Sequence, residues 1–319
     1  MTSAVSHEAF MQHALYDPQD GYYARRAAVG KTGDFSTSAT LSPAFAEAVA
    51  HWIRETITRL KILAPCPVIE LGPGNGSLAA ALLSHFSEAE VRLHLVETSD
   101  PLRDIQLGKL GSFPVSHHRT LGEALKATNG IGLIIANEFA DAFPAVQLCF
   151  KESAWWEVFV DFDKSGKPIE VLKPYERVID AEAPSNPKEN QRIFVHPLYH
   201  SWLKENLSLL KHGAMLTIDY GAEYPSGECR AYAGQQRYEK LDVYREAGRR
   251  DITCDVNFSD IRRWGEQLGF KSYPSLTQTE FLQRYLGDIE ARSSKDSALA
   301  FLCNPMGAGG AFRVLKLER

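Results

Sequence analysis

A short apolar run, Pro67–Leu71, passes straight into Gly72-Pro73-Gly74-Asn75-Gly76 and then into a helix-forming stretch at 77–86. Strand, glycine-rich turn and helix in that order admit few folds. Glycines at alternate positions let backbone approach a ligand closely, and they tolerate the positive φ that such turns often need. A dinucleotide turn reads G-x-G-x-x-G/A, its third glycine packing helix on strand. Here the spacing is G-x-G-x-G, and Ser77 stands where that third glycine would be. Glu70 closes the strand directly before the turn. A carboxylate there is awkward for a pyrophosphate but suits a ligand with an ammonium and a sulfonium, both cationic. The turn therefore predicts an S-adenosyl-L-methionine site formed by Glu70, Gly72, Gly74 and Gly76. A nicotinamide dinucleotide is the disfavoured alternative.

The flanking segments extend this pattern. Val91–Val96 reads as a second strand and ends on Glu97, placed to accept hydrogen bonds from a ribose diol of either cofactor. Helix 101–110, a strand near 113–116, a helix near 120–127 and the apolar run Ile131–Ala136 follow. Strands alternating with helices imply parallel pairing with right-handed crossovers, an α/β Rossmann-like fold. Residues 145–195 then alternate apolar and polar as strands do, which predicts a β-rich insertion. A helix at 197–211 and the strand Met215–Ile218 resume the core. Helices near 258–268, 277–286 and 296–303 and an antiparallel last strand, Phe312–Leu317, complete it. Ahead of the core, residues 6–16 look helical and 22–41 read as an ordered loop. Ser42 and Pro43 are the N-cap and first position of another helix. The expected divisions are an N-terminal helical cap at 1–63, core at 64–144, insertion at 145–196 and core again at 197–319.

Bulk properties exclude several classes. A net charge of −5 disfavours a nucleic-acid-coating protein. Five scattered cysteines with no C-x-x-C fit neither a disulfide framework nor a zinc ribbon, and point to a reducing compartment. His196 and His200 have helical i, i+4 spacing, but Pro197 replaces the glutamate of a zinc-binding pair and no third ligand is suggested, so no metal is expected. No apolar run is long enough to insert in a membrane. With no secretory signal and no arginine-rich leader (the first arginine is Arg25), the expected location is cytoplasmic.

The chain resembles MidA-like class I methyltransferases, a family that includes a mitochondrial complex I assembly factor. Collinear blocks carry the resemblance: Ala14–Pro18 with Gly21-Tyr22-Tyr23, Gly33-Asp34-Phe35, Glu70–Gly76, His94–Ser99, and Ala136–Phe139 with Asp141. Ile218–Gly221, Arg230-Ala231-Tyr232, Asp251-Ile252-Thr253, Thr277-Gln278 and Asn304–Gly307 continue it. Ala46, Ala140, Asn257 and the pair Glu228-Cys229 depart from the family pattern. The resemblance implies an S-adenosylmethionine-dependent methyltransferase acting on a protein, with arginine favoured. An assembly factor with little or no methyl transfer is the alternative. The oligomeric state is left open, a homodimer among the options.

An arginine acceptor imposes its own chemistry, because its guanidinium stays protonated at neutral pH. Carboxylates must pin it, localise its charge away from the attacking nitrogen and accept a proton. Asn137 and Glu138 follow the fourth strand at the carboxyl edge, where open α/β sheets bind ligands. Asn137 is expected beside the cofactor and Glu138 as the main substrate-facing carboxylate. Asp141 is expected to assist it or to cap a helix. Gly33 and Asp34 are expected to fold over the cofactor, Asp34 alternatively forming an Asx turn. Asp219 and Tyr220, ending the fifth strand, are expected on the substrate side.

Overall fold

The computed structural model describes residues 4–25, 41–111, 113–178, 180–234 and 236–319. Its central sheet runs in the order Lys271–Ser272, Phe312–Glu318, His212–Ala222, Ile131–Asn137, Cys66–Leu71, Val91–Val96, Val115–His118. The five strands from His212–Ala222 to Val115–His118 are parallel, and Phe312–Glu318 is antiparallel to its neighbour. Successive side chains on these strands face opposite ways. Val68, Leu93, Leu133, Ile135 and Leu216 point into a core closed by helices Pro43–Leu60 and Gln278–Leu286. Ile69, Ile134, Ala136 and Met215 face the other layer, closed by helices Leu121–Ala127, Pro197–Leu207 and Phe258–Gln267. Burial on both faces explains why these strands read as continuous apolar runs. The doubly wound Rossmann-like fold is the one the alternation predicts.

Strand order reverses between Cys66–Leu71 and Ile131–Asn137, the switch point at which such sheets open a crevice. Leu71 stands opposite Ala136 in register, so Gly72 and Asn137 leave the sheet side by side.

Two further sheets form a second layer whose composition differs from the expected divisions. Strands Val146–Lys151, Ala154–Phe162, Pro168–Pro174 and Arg192–Val195 make the β-rich insertion, but Val5–Ser6 joins its sheet by pairing with Val160 and Phe159. A further sheet of Cys229–Ala233, Gln236–Glu239 and Asp251–Cys254 lies beside it. These strands are short and rich in charged residues, so no apolar alternation marks them in the sequence. Helix His7–Tyr16 wedges between the two sheets, packing Phe10, Met11, Ala14 and Leu15 with Val160, Phe194, Ala231 and Ile252. The N-terminal boundary also moves: helix Pro43–Leu60 is not part of a cap, because its apolar stripe (Phe45, Val49, Trp52, Ile53) covers the central sheet. Among the described residues, no helix is long and apolar enough to cross a membrane.

Candidate active site

Gly72, Gly74 and Gly76 have φ of 56°, 53° and 74°, a left-handed backbone that L side chains adopt only at a cost. A Cβ on Gly72 would also come within 3.0 Å of the Phe139 ring. Asn75 stiffens the turn by accepting the Ser77 N–H through Oδ1 at 3.1 Å. Gln106, fully buried on the next helix, donates from Nε2 to the Gly74 carbonyl at 2.8 Å. The turn is thus held from behind while its backbone lines a cavity of about 470 Å³. That volume falls within the ordinary range for small-molecule sites.

Glu70, Glu97 and Asn137 line the same cavity. Glu70 is buried, its Oε2 has no hydrogen-bond partner, and burial pushes its carboxyl up to about 8. An orphaned acid in a cavity is unfavourable unless a cation meets it. Glu97 accepts the Ser99 N–H through Oε1 at 2.8 Å. Burial raises its carboxyl above the usual carboxylate range, against the pull of that bond and of Gln106. Asn137 donates to Glu138 Oε1 at 3.3 Å and keeps a buried Oδ1 without a partner. These groups fit S-adenosylmethionine: Glu70 for the ammonium, Glu97 for the ribose hydroxyls, the glycine turn for close backbone approach. Gly33 and Asp34 lie outside the described residues.

A second cavity of about 500 Å³ adjoins the first, and Tyr23 and Glu138 line both. Its other polar walls are Asp141, Tyr220, Arg230, Tyr232, Arg237, Asp251 and Thr253. Glu138 occupies the left-handed region at φ 51°, costly for a residue with a Cβ. Its N–H bonds the Ile218 carbonyl at 2.8 Å, which fixes the residue at the sheet edge despite that cost. Asp141 is buried, and its carboxyl is held well above the usual range by burial and by Asp219, Glu138 and Asp251, against the pull of Arg230. The lining cations are already engaged. Arg230 is ion-paired to Asp255 and lies over the Tyr220 ring, while Arg237 pairs with Glu239 at 2.8 Å. Among the described residues, the acids Glu138, Asp141 and Asp251 share this cavity's lining with those two cations.

The expectation for Asp219 needs correction. Asp219 is fully buried and lines neither cavity. Its Oδ2 accepts the backbone N–H groups of Phe139, Ala140 and Asp141 at 3.1, 2.8 and 3.3 Å, and its Oδ1 accepts that of Tyr220 at 2.8 Å. It builds the turn that presents Glu138 and Asp141. Tyr220, the next residue, does line the second cavity. Sequence reasoning missed Tyr23, Arg230, Tyr232 and Asp251 as site residues, although each lies in a block that carries the family resemblance. Tyr23 donates its hydroxyl to Asp251 Oδ1 at 2.8 Å, joining residues 228 positions apart.

Residues 48–275 match the model of a family described as "Putative S-adenosyl-L-methionine-dependent methyltransferase". A curated relative from Bos taurus, "Protein arginine methyltransferase NDUFAF7, mitochondrial", is 30% identical over 99% of this chain and 80% of its own length. The protein of the same name from Homo sapiens is 29% identical over 93% of this chain and 73% of its own length. A Burkholderia thailandensis structure with bound S-adenosyl-homocysteine is 25% identical, with a TM-score of 0.85 over 99% of this chain and 88% of that one. The expectation of a cytoplasmic location is corrected by the curated relatives, which are mitochondrial by name. With the glycine turn, its acids and these matches together, the chain belongs to the family of S-adenosyl-L-methionine-dependent methyltransferases.

Proposed function

We propose that this methyltransferase modifies an arginine side chain of a protein, through Glu138 as the principal catalytic residue. The observation that carries the reading is the meeting of the two cavities at Glu138 and Tyr23, with Asp141 and Asp251 on the far side. A second cavity lined by Glu138, Asp141 and Asp251 offers carboxylates to a guanidinium, and the names of the curated relatives support the same acceptor. The family resemblance adds assembly of a respiratory complex as the setting.

Bound S-adenosylmethionine supplies an electrophilic methyl group on a cationic sulfur. Glu138 accepts N–H bonds from the guanidinium and holds one terminal nitrogen toward the cofactor cavity. Positioning of this kind accounts for much of the rate of an in-line displacement. The charged pairing also draws positive charge onto the other nitrogens, leaving electron density on the attacking one. As the N–C bond forms and the S–C bond breaks, the nitrogen becomes acidic and its proton passes to the Glu138 carboxylate. Methylated arginine and neutral S-adenosylhomocysteine result, with one proton released. Asp141 faces the same cavity, and an arriving cation favours its ionised form. Glu70, Glu97, Gly72, Gly74, Gly76 and Asn137 hold the cofactor in this reading.

Transfer of labelled methyl groups to protein, followed by amino-acid analysis for methylarginine, tests the proposal. Glu138→Gln should lower the rate by about a hundredfold with cofactor affinity retained. Wild-type protein that labels no protein substrate would favour the assembly-factor alternative, and label on another amino acid would overturn the choice of arginine.

A further inference from the structure

Away from both cavities, the second layer gathers His7, Cys229 and Cys254 to one point. Their candidate ligand atoms all lie within 4.8 Å of one another. We propose that these three side chains form a Zn²⁺ site that fastens helix His7–Tyr16 to the strands behind the acceptor cavity. Cys229 and Cys254 face each other in register on adjacent antiparallel strands, their sulfurs 3.3 Å apart. His7 Nε2 stands 3.4 Å from the Cys254 sulfur. Tetrahedral zinc, with bonds of about 2.3 Å to sulfur and about 2.0 Å to nitrogen, sets neighbouring ligand atoms roughly 3.5–3.8 Å apart by the same geometry. The sulfur–sulfur separation of 3.3 Å and the His7–Cys254 separation of 3.4 Å lie within about 0.5 Å of that spacing.

The surroundings also suit a metal. His7 Nδ1 lies 2.9 Å from the Tyr244 hydroxyl. With Nδ1–H donated there, Nε2 turns its lone pair toward the sulfurs, the usual outer-shell arrangement of a ligating histidine. Met11 brings a further soft donor, its Sδ 3.9 Å from the Cys254 sulfur. Thiolate, imidazole and thioether reject the hard cations that oxygen ligands select. His7, Met11 and Cys254 are buried, so charge balance chooses among soft ions. Two thiolates neutralise Zn²⁺, whereas they would leave a cuprous ion with net negative charge in a site that solvates charge poorly. No C-x-x-C marks the site, because the strands bring together residues as far as 247 positions apart.

Reduced, metal-free protein titrated with Co²⁺ tests the site. The expected result is one equivalent bound per chain, with a thiolate-to-cobalt charge-transfer band that equimolar Zn²⁺ abolishes. Cys229→Ala and His7→Ala should lose the band, and Tyr244→Phe should weaken binding about 10–100-fold. Retained S-adenosylhomocysteine binding would show that the variants remain folded. Zinc should also raise the thermal midpoint of wild type but not of Cys229→Ala. The proposal is overturned by absence of the band in wild type or by its survival in Cys229→Ala. A Cys229–Cys254 disulfide recovered from protein prepared under reductant with zinc supplied would also overturn it.

Discussion

Glu70 shows how one buried carboxyl can tie cofactor binding to pH. In the ligand-free protein burial raises it to about 8, against an unfolded value near 4.3. A carboxyl raised in this way contributes stability that is full below the unfolded value and lost as pH climbs through about 8. A ligand ammonium reverses the preference, because it recruits the ionised form and expels the proton. Affinity for S-adenosylmethionine should therefore rise about tenfold per unit between about pH 6 and 7 and level off near the raised value. Calorimetry in buffers of different ionisation heats should count one proton released, and Glu70→Gln should bind weakly with a flat profile. A flat profile in wild type would mean that Glu70 does not meet the ammonium. This residue was legible in the sequence because its evidence is local: strand, acid and glycine turn are adjacent, so spacing alone places the carboxylate.

At the scale of elements, legibility depends on how far a residue's partners lie along the chain. The position of Asp219 at the end of its strand was readable, but its use was not. The three N–H groups that occupy its Oδ2 belong to residues 78–80 positions earlier. The strand pairing Ile218 with Asn137 closes that gap. Asp219→Ala would strand these buried donors, each hydrogen bond to a charged group being worth about 1.5–3 kcal/mol. A loss of about 3 kcal/mol or more in unfolding free energy is expected, with loss of methyl transfer because Glu138 and Asp141 ride on the same turn. Asp219→Asn keeps one acceptor oxygen and should fall between wild type and alanine in chemical denaturation. An alanine variant of undiminished stability would show that the turn holds its shape without this carboxylate. The glycine turn, by contrast, needs no distant partner for its φ values, and the G-x-G-x-G spacing announced it. The sheet Cys229–Ala233, Gln236–Glu239, Asp251–Cys254 had no such announcement, since alternation fails where Arg230, Arg237, Glu239 and Asp251 sit on strands.

At the scale of the whole molecule, the two layers meet at Tyr23, and in the proposed function that contact separates cofactor binding from acceptor binding. On one side, the Tyr23 carbonyl accepts the Ser99 hydroxyl at 3.0 Å, and the Ser99 N–H is held in turn by Glu97. On the other, the Tyr23 hydroxyl reaches Asp251 on a strand of the second layer. The carbonyl survives any side-chain substitution, whereas the hydroxyl is lost in Tyr23→Phe. The variant should therefore keep its affinity for S-adenosylhomocysteine within about twofold, since the bond to Ser99 remains. It should lose about tenfold in kcat/KM for the acceptor, the cost of about one hydrogen bond to a charged group. Asp251→Asn weakens the same bond from the other end, so combining it with Tyr23→Phe should cost less than the two single losses multiplied. A variant that bound cofactor poorly while turning over acceptor normally would reverse the assignment, making Tyr23 part of the cofactor site alone and leaving the two layers uncoupled.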